Sequence, residues 1–187
     1  MTQDRIVARV VKALVEAGVP HMVSGSLASS LHGVPRMTQD ADLVVEADEA
    51  GLLRLARQLE LEFYVSQDAV RDAVRLRRMF NAIHLETGFK VDLIVKKNRA
   101  FSAEELRRRR PWPLAGQQVD FATPEDTILA KLEWAQLGDS DRQYGDAVGI
   151  IRVQGARLDW SYLETWAGEL GVRSLLERAR RGDPFRG

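Results

Sequence analysis

The chain has 187 residues, 45% apolar and 29% charged, with 27 basic and 27 acidic side chains, the balance of a soluble globular protein of one compact domain, or one domain with a helical appendage. No apolar run approaches the ~20 residues that cross a bilayer, and Met1-Thr2-Gln3-Asp4-Arg5 does not read as a signal peptide. The absence of cysteine excludes disulfides and thiolate metal sites and fits a reducing cytoplasm, which is the expected location. The neutral total hides an asymmetry, because Arg71 to Arg110 holds 12 Lys and Arg against 5 Asp and Glu. Wholesale coating of nucleic acid is disfavoured, while that basic middle segment remains able to meet a polyanion.

In chain order, Ile6, Val7, Val10, Val11, Leu14 and Val15 recur at helical spacing, with Gly18 placed to end the helix. A short strand about Pro20 to Ser24 leads into a Gly25-Ser26 turn and a small-residue helix from Ser26 to about His32. Gly33 to Arg36 reads as a loop feeding a strand from Asp40 to Glu46. Leu52, Leu53, Ala56 and Leu59 mark a further helix, and the segment from there to Arg78 is ambiguous. Met79 to Glu86 and Phe89 to Lys96 are β-rich runs around Thr87-Gly88, a two-residue hairpin signal. Thr123-Pro124-Glu125-Asp126 is a helix start, with a capping hydroxyl, proline in the first turn and acids against the dipole. Helices follow to the end, and Trp134, Trp160 and Trp166 read most simply as core. The expected fold class is α+β, a mixed sheet flanked by helices with a small helical C-terminal part packed on it. The expected division is 1–120 as the core and 121–187 as the helical subdomain.

The chemistry concentrates early. Asp40 and Asp42 alternate along a strand and so emerge on one face. Two carboxylates that close repel unless a cation intervenes, and Mg²⁺ takes one or two carboxylates together with substrate phosphates. Thirteen residues upstream, Gly25-Ser26 offers a tight backbone step and a helix N-terminus, both suited to phosphate. Asp92, in the middle of a later strand and opposite its apolar face, completes a possible triad. Such a triad suits two Mg²⁺ ions, or Mn²⁺, one activating a hydroxyl and the other neutralising a triphosphate. The structural alternative has Asp40 ending a strand, Asp42 in solvent and Asp92 paired with a surface lysine. Arg36 and Thr38, just before the acidic strand, either hold phosphate or brace the loop. His21, His32 and His84 lack metal-ligand spacing, and His32 reads as structural. Arg107 to Arg110, followed by Pro111-Trp112-Pro113, reads either as a nucleic-acid patch or, more commonly, as a solvated helix face.

Gly25-Ser26, the thirteen-residue spacer, Asp40-Ala41-Asp42 and the later strand aspartate together resemble the DNA polymerase β-like nucleotidyltransferase superfamily. The stretch Leu31 to Asp40 is similar to its small prokaryotic branch, which includes the abortive-infection type nucleotidyltransferase toxins. Ser24 departs from the apolar residue that usually precedes the glycine. The resemblance implies a polymerase β-like nucleotidyltransferase fold and transfer of an NMP from an NTP to an acceptor hydroxyl, with release of pyrophosphate. Asp40, Asp42 and Asp92 would be catalytic and metal-binding. Gly25, Ser26, Arg36 and Thr38 would bind nucleotide. Lys131, Arg142 and Asp146 would be counterparts of a later helical Lys-Arg-Asp motif, with Lys131 equally explained as an exposed helix residue near Glu133 and Asp126. The implied partners are an NTP, an RNA acceptor such as tRNA, and an antitoxin, with no membrane. A small-molecule acceptor such as an aminoglycoside, or a catalytically silent binding module, is the alternative.

Overall fold

The computed structural model describes residues 1–185. It begins with α1 (Gln3–Glu16), β1 (His21–Ser24), α2 (Gly25–His32), β2 (Asp40–Val45), α3 (Glu49–Leu59) and β3 (Phe63–Tyr64). It continues with α4 (Gln67–Leu76), β4 (Met79–His84), β5 (Lys90–Val95), α5 (Ala100–Arg108), β6 (Arg110–Leu114) and β7 (Gln117–Phe121). Then follow α6 (Pro124–Gly138), α7 (Asp141–Gln154), a 3₁₀ turn, α8 (Trp160–Glu169) and α9 (Arg173–Arg181). Contacts divide the chain into two units, Met1–Ser24 with Thr38–Phe121, and Gly25–Met37 with the residues from Ala122 onward. The loop after His32 and the helix before it therefore group with the C-terminal helices, a partition that no linear reading of 1–120 contains.

The first unit is built on a seven-stranded sheet in the order β3-β4-β5-β2-β1-β7-β6. It is mixed: β2 runs parallel to β5 and β1 parallel to β7, and the remaining neighbours are antiparallel. Leu43 and Val45 of β2 and Val91, Leu93 and Val95 of β5 are buried, the period-2 apolar face that makes both segments strands. Ile6, Val7, Val10, Val11 and Leu14 bury one stripe of α1. Val15 is exposed instead, because at 100° per residue it falls roughly 110° from the centre of that stripe.

The β6–β7 hairpin is absent from the sequence expectations. Pro111 and Pro113 lie within β6, opposite Asp120 and Gln118. Proline is tolerated there because β6 is the edge of the sheet and is paired on one side only. Ala115 and Gly116 both have positive φ, 49° and 85°, the requirement for a two-residue turn that matches strand twist. The arginine run accordingly does not form one helix face: Arg107 and Arg108 end α5, Arg109 is extended, and Arg110 opens β6.

In the second unit, α2 packs against α6 and α7. Ile128, Leu129, Leu132 and Ala135 of α6 and Tyr144, Ala147, Ile150 and Ile151 of α7 are buried. Thr123 caps α6, its Oγ1 accepting from the Asp126 amide at 3.2 Å while donating to Asp126 Oδ2 at 2.6 Å. Asp126 also accepts from Tyr162 Oη. Gly33 follows α2 where a Cβ would lie 2.9 Å from the Ile150 amide nitrogen and 3.0 Å from the Ser29 carbonyl oxygen. His32 Nε2 donates to the Ala122 carbonyl at 2.7 Å, in keeping with a structural role. The tryptophans are not core as expected: Trp134 is 52% exposed, and Trp160 and Trp166 are half-buried. Arg180 lies 4.2 Å over the Trp160 ring. These rings sit at the edges of their helical stripes, where the smaller Ala135, Leu163 and Ala167 face inward.

Candidate functional site

The carboxylates belong to the first unit. The parallel register of β2 and β5 sets Asp42 directly beside Asp92 and Asp40 beside Lys90. On the outer sides, Ser24 of β1 is opposite Asp42 and Asn81 of β4 is opposite Asp92. Ser24, Asp42, Asp92 and Asn81 thus form one row across four strands, and directly opposed side chains share a face about 5 Å apart. Asp40, two residues before Asp42, is on that face too.

Each carboxylate is held differently. Asp92 is 7% exposed, and Asn81 Nδ2 donates to its Oδ1 at 2.5 Å. Burial raises the Asp92 carboxyl above the ordinary range, the Asn81 hydrogen bond opposes this, and the negative charge of Asp40 adds to the rise. Asp40 is half-buried, and Thr38 Oγ1 donates toward both its carbonyl (2.9 Å) and its Oδ1 (3.0 Å). Thr38 is itself buried, and Gln3 Nε2 donates to its carbonyl at 3.1 Å. Thr38 therefore orients Asp40. Among the described residues, no three His, Asp or Glu side chains already converge on an ion position.

The second unit holds the remaining candidates. Gly25 has φ +57° at the first residue of α2, a left-handed conformation that glycine adopts without strain. Arg36 Nε and Nη2 donate to the two carboxylate oxygens of Asp146 at 3.0 and 2.9 Å, and Nη2 also reaches Ser26 Oγ at 2.7 Å. Lys131 Nζ lies 2.8 Å from Asp146 Oδ2 and donates to Gln143 Oε1 at 2.7 Å. Ser29 Oγ donates to the Ser26 carbonyl at 3.1 Å and is 3.4 Å from Asp146 Oδ2. Burial pushes the Asp146 carboxyl up, but the Arg36 and Lys131 hydrogen bonds and charges outweigh it and hold the group below the ordinary range. Lys131 is only 3% exposed, which corrects its reading as an exposed residue near Glu133 and Asp126. Its helix carries apolar residues on both sides of it, so the ammonium is buried and needs a carboxylate partner. Arg142 is exposed and takes no part in this network.

Asn81 and Gln143 were not among the sequence candidates. An amide opposite a strand aspartate was the available clue for Asn81, but only the register exposes it. In the basic middle segment, Arg71, Arg75, Arg107 and Arg109 each pair with an acidic side chain within 3.5 Å, and Lys96 pairs with Glu46 at 2.8 Å.

No protein-family model and no curated protein sequence matches the chain. Among solved structures it is similar to the antibiotic-resistance factor ANT(2'')-Ia in solution, with 16% identity over 96% of this chain and 97% of that one, and a TM-score of 0.58. The same factor in complex with adenylyl-2''-tobramycin gives 17% identity over 97% and 99%, with a TM-score of 0.53. An antigenic nucleotidyltransferase-like protein from Paracoccidioides brasiliensis gives 15% identity over 98% and 94%, with a TM-score of 0.58. The lincomycin-bound lincosamide antibiotic adenylyltransferase LnuA gives 10% identity over 80% and 96%, with a TM-score of 0.52. With its mixed seven-stranded sheet and helices, the chain has the α+β nucleotidyltransferase fold.

Proposed function

We propose that the protein is a metal-dependent nucleotidyltransferase that moves an NMP from an NTP to an acceptor hydroxyl and releases pyrophosphate. The observation that carries this reading is the in-register pair Asp42 and Asp92, with Asp40 two residues away, in a chain of nucleotidyltransferase fold. The donor set suits Mg²⁺, or Mn²⁺ in its place, because it is all oxygen and because burial, with the Asp40 charge adding to it, already disfavours the bare Asp92 carboxylate. A ready-made three-carboxylate cage is not required, since Mg²⁺ keeps water and takes further oxygens from substrate phosphates. Asp40, Asp42 and Asp92 would hold two such ions, which when bound supply neutralisation of the triphosphate and activation of the hydroxyl.

The protein's own groups do the rest. Gly25, Ser26 and Arg36 bind the β- and γ-phosphates through backbone, hydroxyl and guanidinium donors. Asn81 occupies Asp92 Oδ1, so Oδ2 takes the proton as the acceptor oxygen bonds to the α-phosphorus and the bond to the β-phosphate oxygen breaks. Thr38 keeps Asp40 in its rotamer.

A small hydroxylated molecule is the favoured acceptor. Two of the similar structures hold adenylyl-2''-tobramycin and lincomycin, and at least five of the twelve basic side chains on which an RNA reading rests pair with acidic ones. RNA, with a toxin role and an antitoxin partner, is the second reading, supported by the remaining excess of positive charge between Arg71 and Arg110.

The test incubates the protein with each α-³²P-labelled NTP and Mg²⁺, offering tobramycin, lincomycin and total bacterial RNA separately, beside Asp42→Asn. Label in an acceptor, lost by at least about 10²-fold in the variant, supports the reaction and names the acceptor class. A folded Asp42→Asn protein that transfers label at the wild-type rate refutes the mechanism. Nucleotide binding without any metal-dependent pyrophosphate release supports a silent binding module instead.

A further inference from the structure

The side chains of Lys131, Asp146 and Arg36 form a chain of decreasing burial: 4%, 10% and 26% of side-chain surface remain exposed. Only the outermost member reaches solvent to an extent that a triphosphate can use. Asp146 grips Arg36 through both carboxylate oxygens, a fork that fixes the plane of the guanidinium as well as its position. The same Nη2 bonds Ser26 Oγ, so the plane and the hydroxyl are set together. Behind the carboxylate, Lys131 shares Oδ2 and is itself held by Gln143. The carboxylate, carried by α7, is thereby held by Lys131 of α6, and Ser29 of α2 lies 3.4 Å from its Oδ2.

A purely stabilising role does not need this chemistry, because a buried ion pair is often no better than packed apolar side chains. What apolar side chains cannot do is orient a guanidinium. We propose that Asp146, braced by Lys131, is a positioning residue that sets the Arg36 guanidinium and Ser26 hydroxyl for triphosphate recognition, and that neither Lys131 nor Asp146 touches the nucleotide. This rests on the reading of Arg36 and Ser26 as phosphate-binding residues, and it moves Lys131 and Asp146 out of the nucleotide-contacting set that the sequence motif implies.

A double-mutant cycle separates the possibilities. Binding of each Mg²⁺–NTP is measured by calorimetry for the wild type, Arg36→Ala, Asp146→Asn and the double variant, with urea midpoints recorded in parallel. The expected result is that each single change weakens binding about tenfold, while Asp146→Asn in the Arg36→Ala background adds less than about twofold. The urea midpoint still falls when Asp146 is changed in that background, since Lys131 then lies buried without its carboxylate. Asp146→Glu keeps the charge but shifts the carboxylate by one methylene. It should fold where Asp146→Asn does not, and still bind NTP more weakly. Multiplying losses, or wild-type binding by a folded Asp146→Asn protein, overturns the positioning role alone. Failure of the wild type to bind any Mg²⁺–NTP overturns it together with the nucleotidyltransferase reading.

Discussion

Asn81 contributes one hydrogen bond, and that bond decides what Asp92 can do. It opposes the upward push of burial and of the Asp40 charge on the Asp92 carboxyl. Removing it with Asn81→Ala therefore raises the Asp92 pKa further, and the acid limb of the pH–rate profile should move to higher pH. Transfer near neutrality should fall by about tenfold, the lower end of the effect of losing an orienting partner. An unmoved limb would show that Asp92 is not the group that titrates. Asp40 and Asp42 were legible as a strand pair because alternation is a local property of the chain. The Asn81–Asp92 contact was not, because it depends on which strand neighbours which. Lys131 was legible only as a motif position; its burial depends on α7 supplying Asp146 and Gln143.

At the level of elements, two positions test how backbone geometry builds the units. Gly33 admits α7 against the end of α2, and a methyl there meets backbone atoms of Ile150 and Ser29 as well as the Ile150 side chain. Gly33→Ala should destabilise by about 2 kcal/mol, a typical cost of forced overpacking, read as a lowered urea midpoint. Ala115 sits at φ 49° beside Gly116 in the β6–β7 turn. Ala115→Asn creates the Asn-Gly pair that such turns prefer and should raise stability by about 0.5–1 kcal/mol, or leave it unchanged if the hairpin frays before global unfolding. That hairpin escaped the sequence reading because two prolines and an arginine run mask its alternation. Only its place at the sheet edge makes Pro111 and Pro113 acceptable. The helix start at Thr123 was legible because capping is encoded within four residues.

Across the whole molecule, acidification should cost stability through two histidines. Burial lowers the pKa of His21 and of His32 below the ordinary value of 6.5, and their hydrogen bonds to the Val19 and Ala122 carbonyls only partly offset it. Between the lowered folded values and 6.5, the unfolded chain binds protons that the folded chain does not. Stability is therefore complete above 6.5 and falls with pH below it, by at most about 1.4 kcal/mol per pH unit for each histidine. Thermal denaturation at pH 7.5 and 5.5 measures this, and His32→Gln should flatten the slope. The sequence by itself determined the α+β class, most element positions, the acidic strand and the Gly-Ser step, since periodicity, caps and motif spacing are written in neighbouring residues. Tertiary structure alone decided that Asp42 meets Asp92 in register, that Asn81 holds Asp92, that Lys131 is buried on Asp146, and that residues 25–37 join the C-terminal helices. Each of these joins residues at least ten positions apart, and which distant segments meet is settled by the burial of whole apolar faces, which no local pattern encodes.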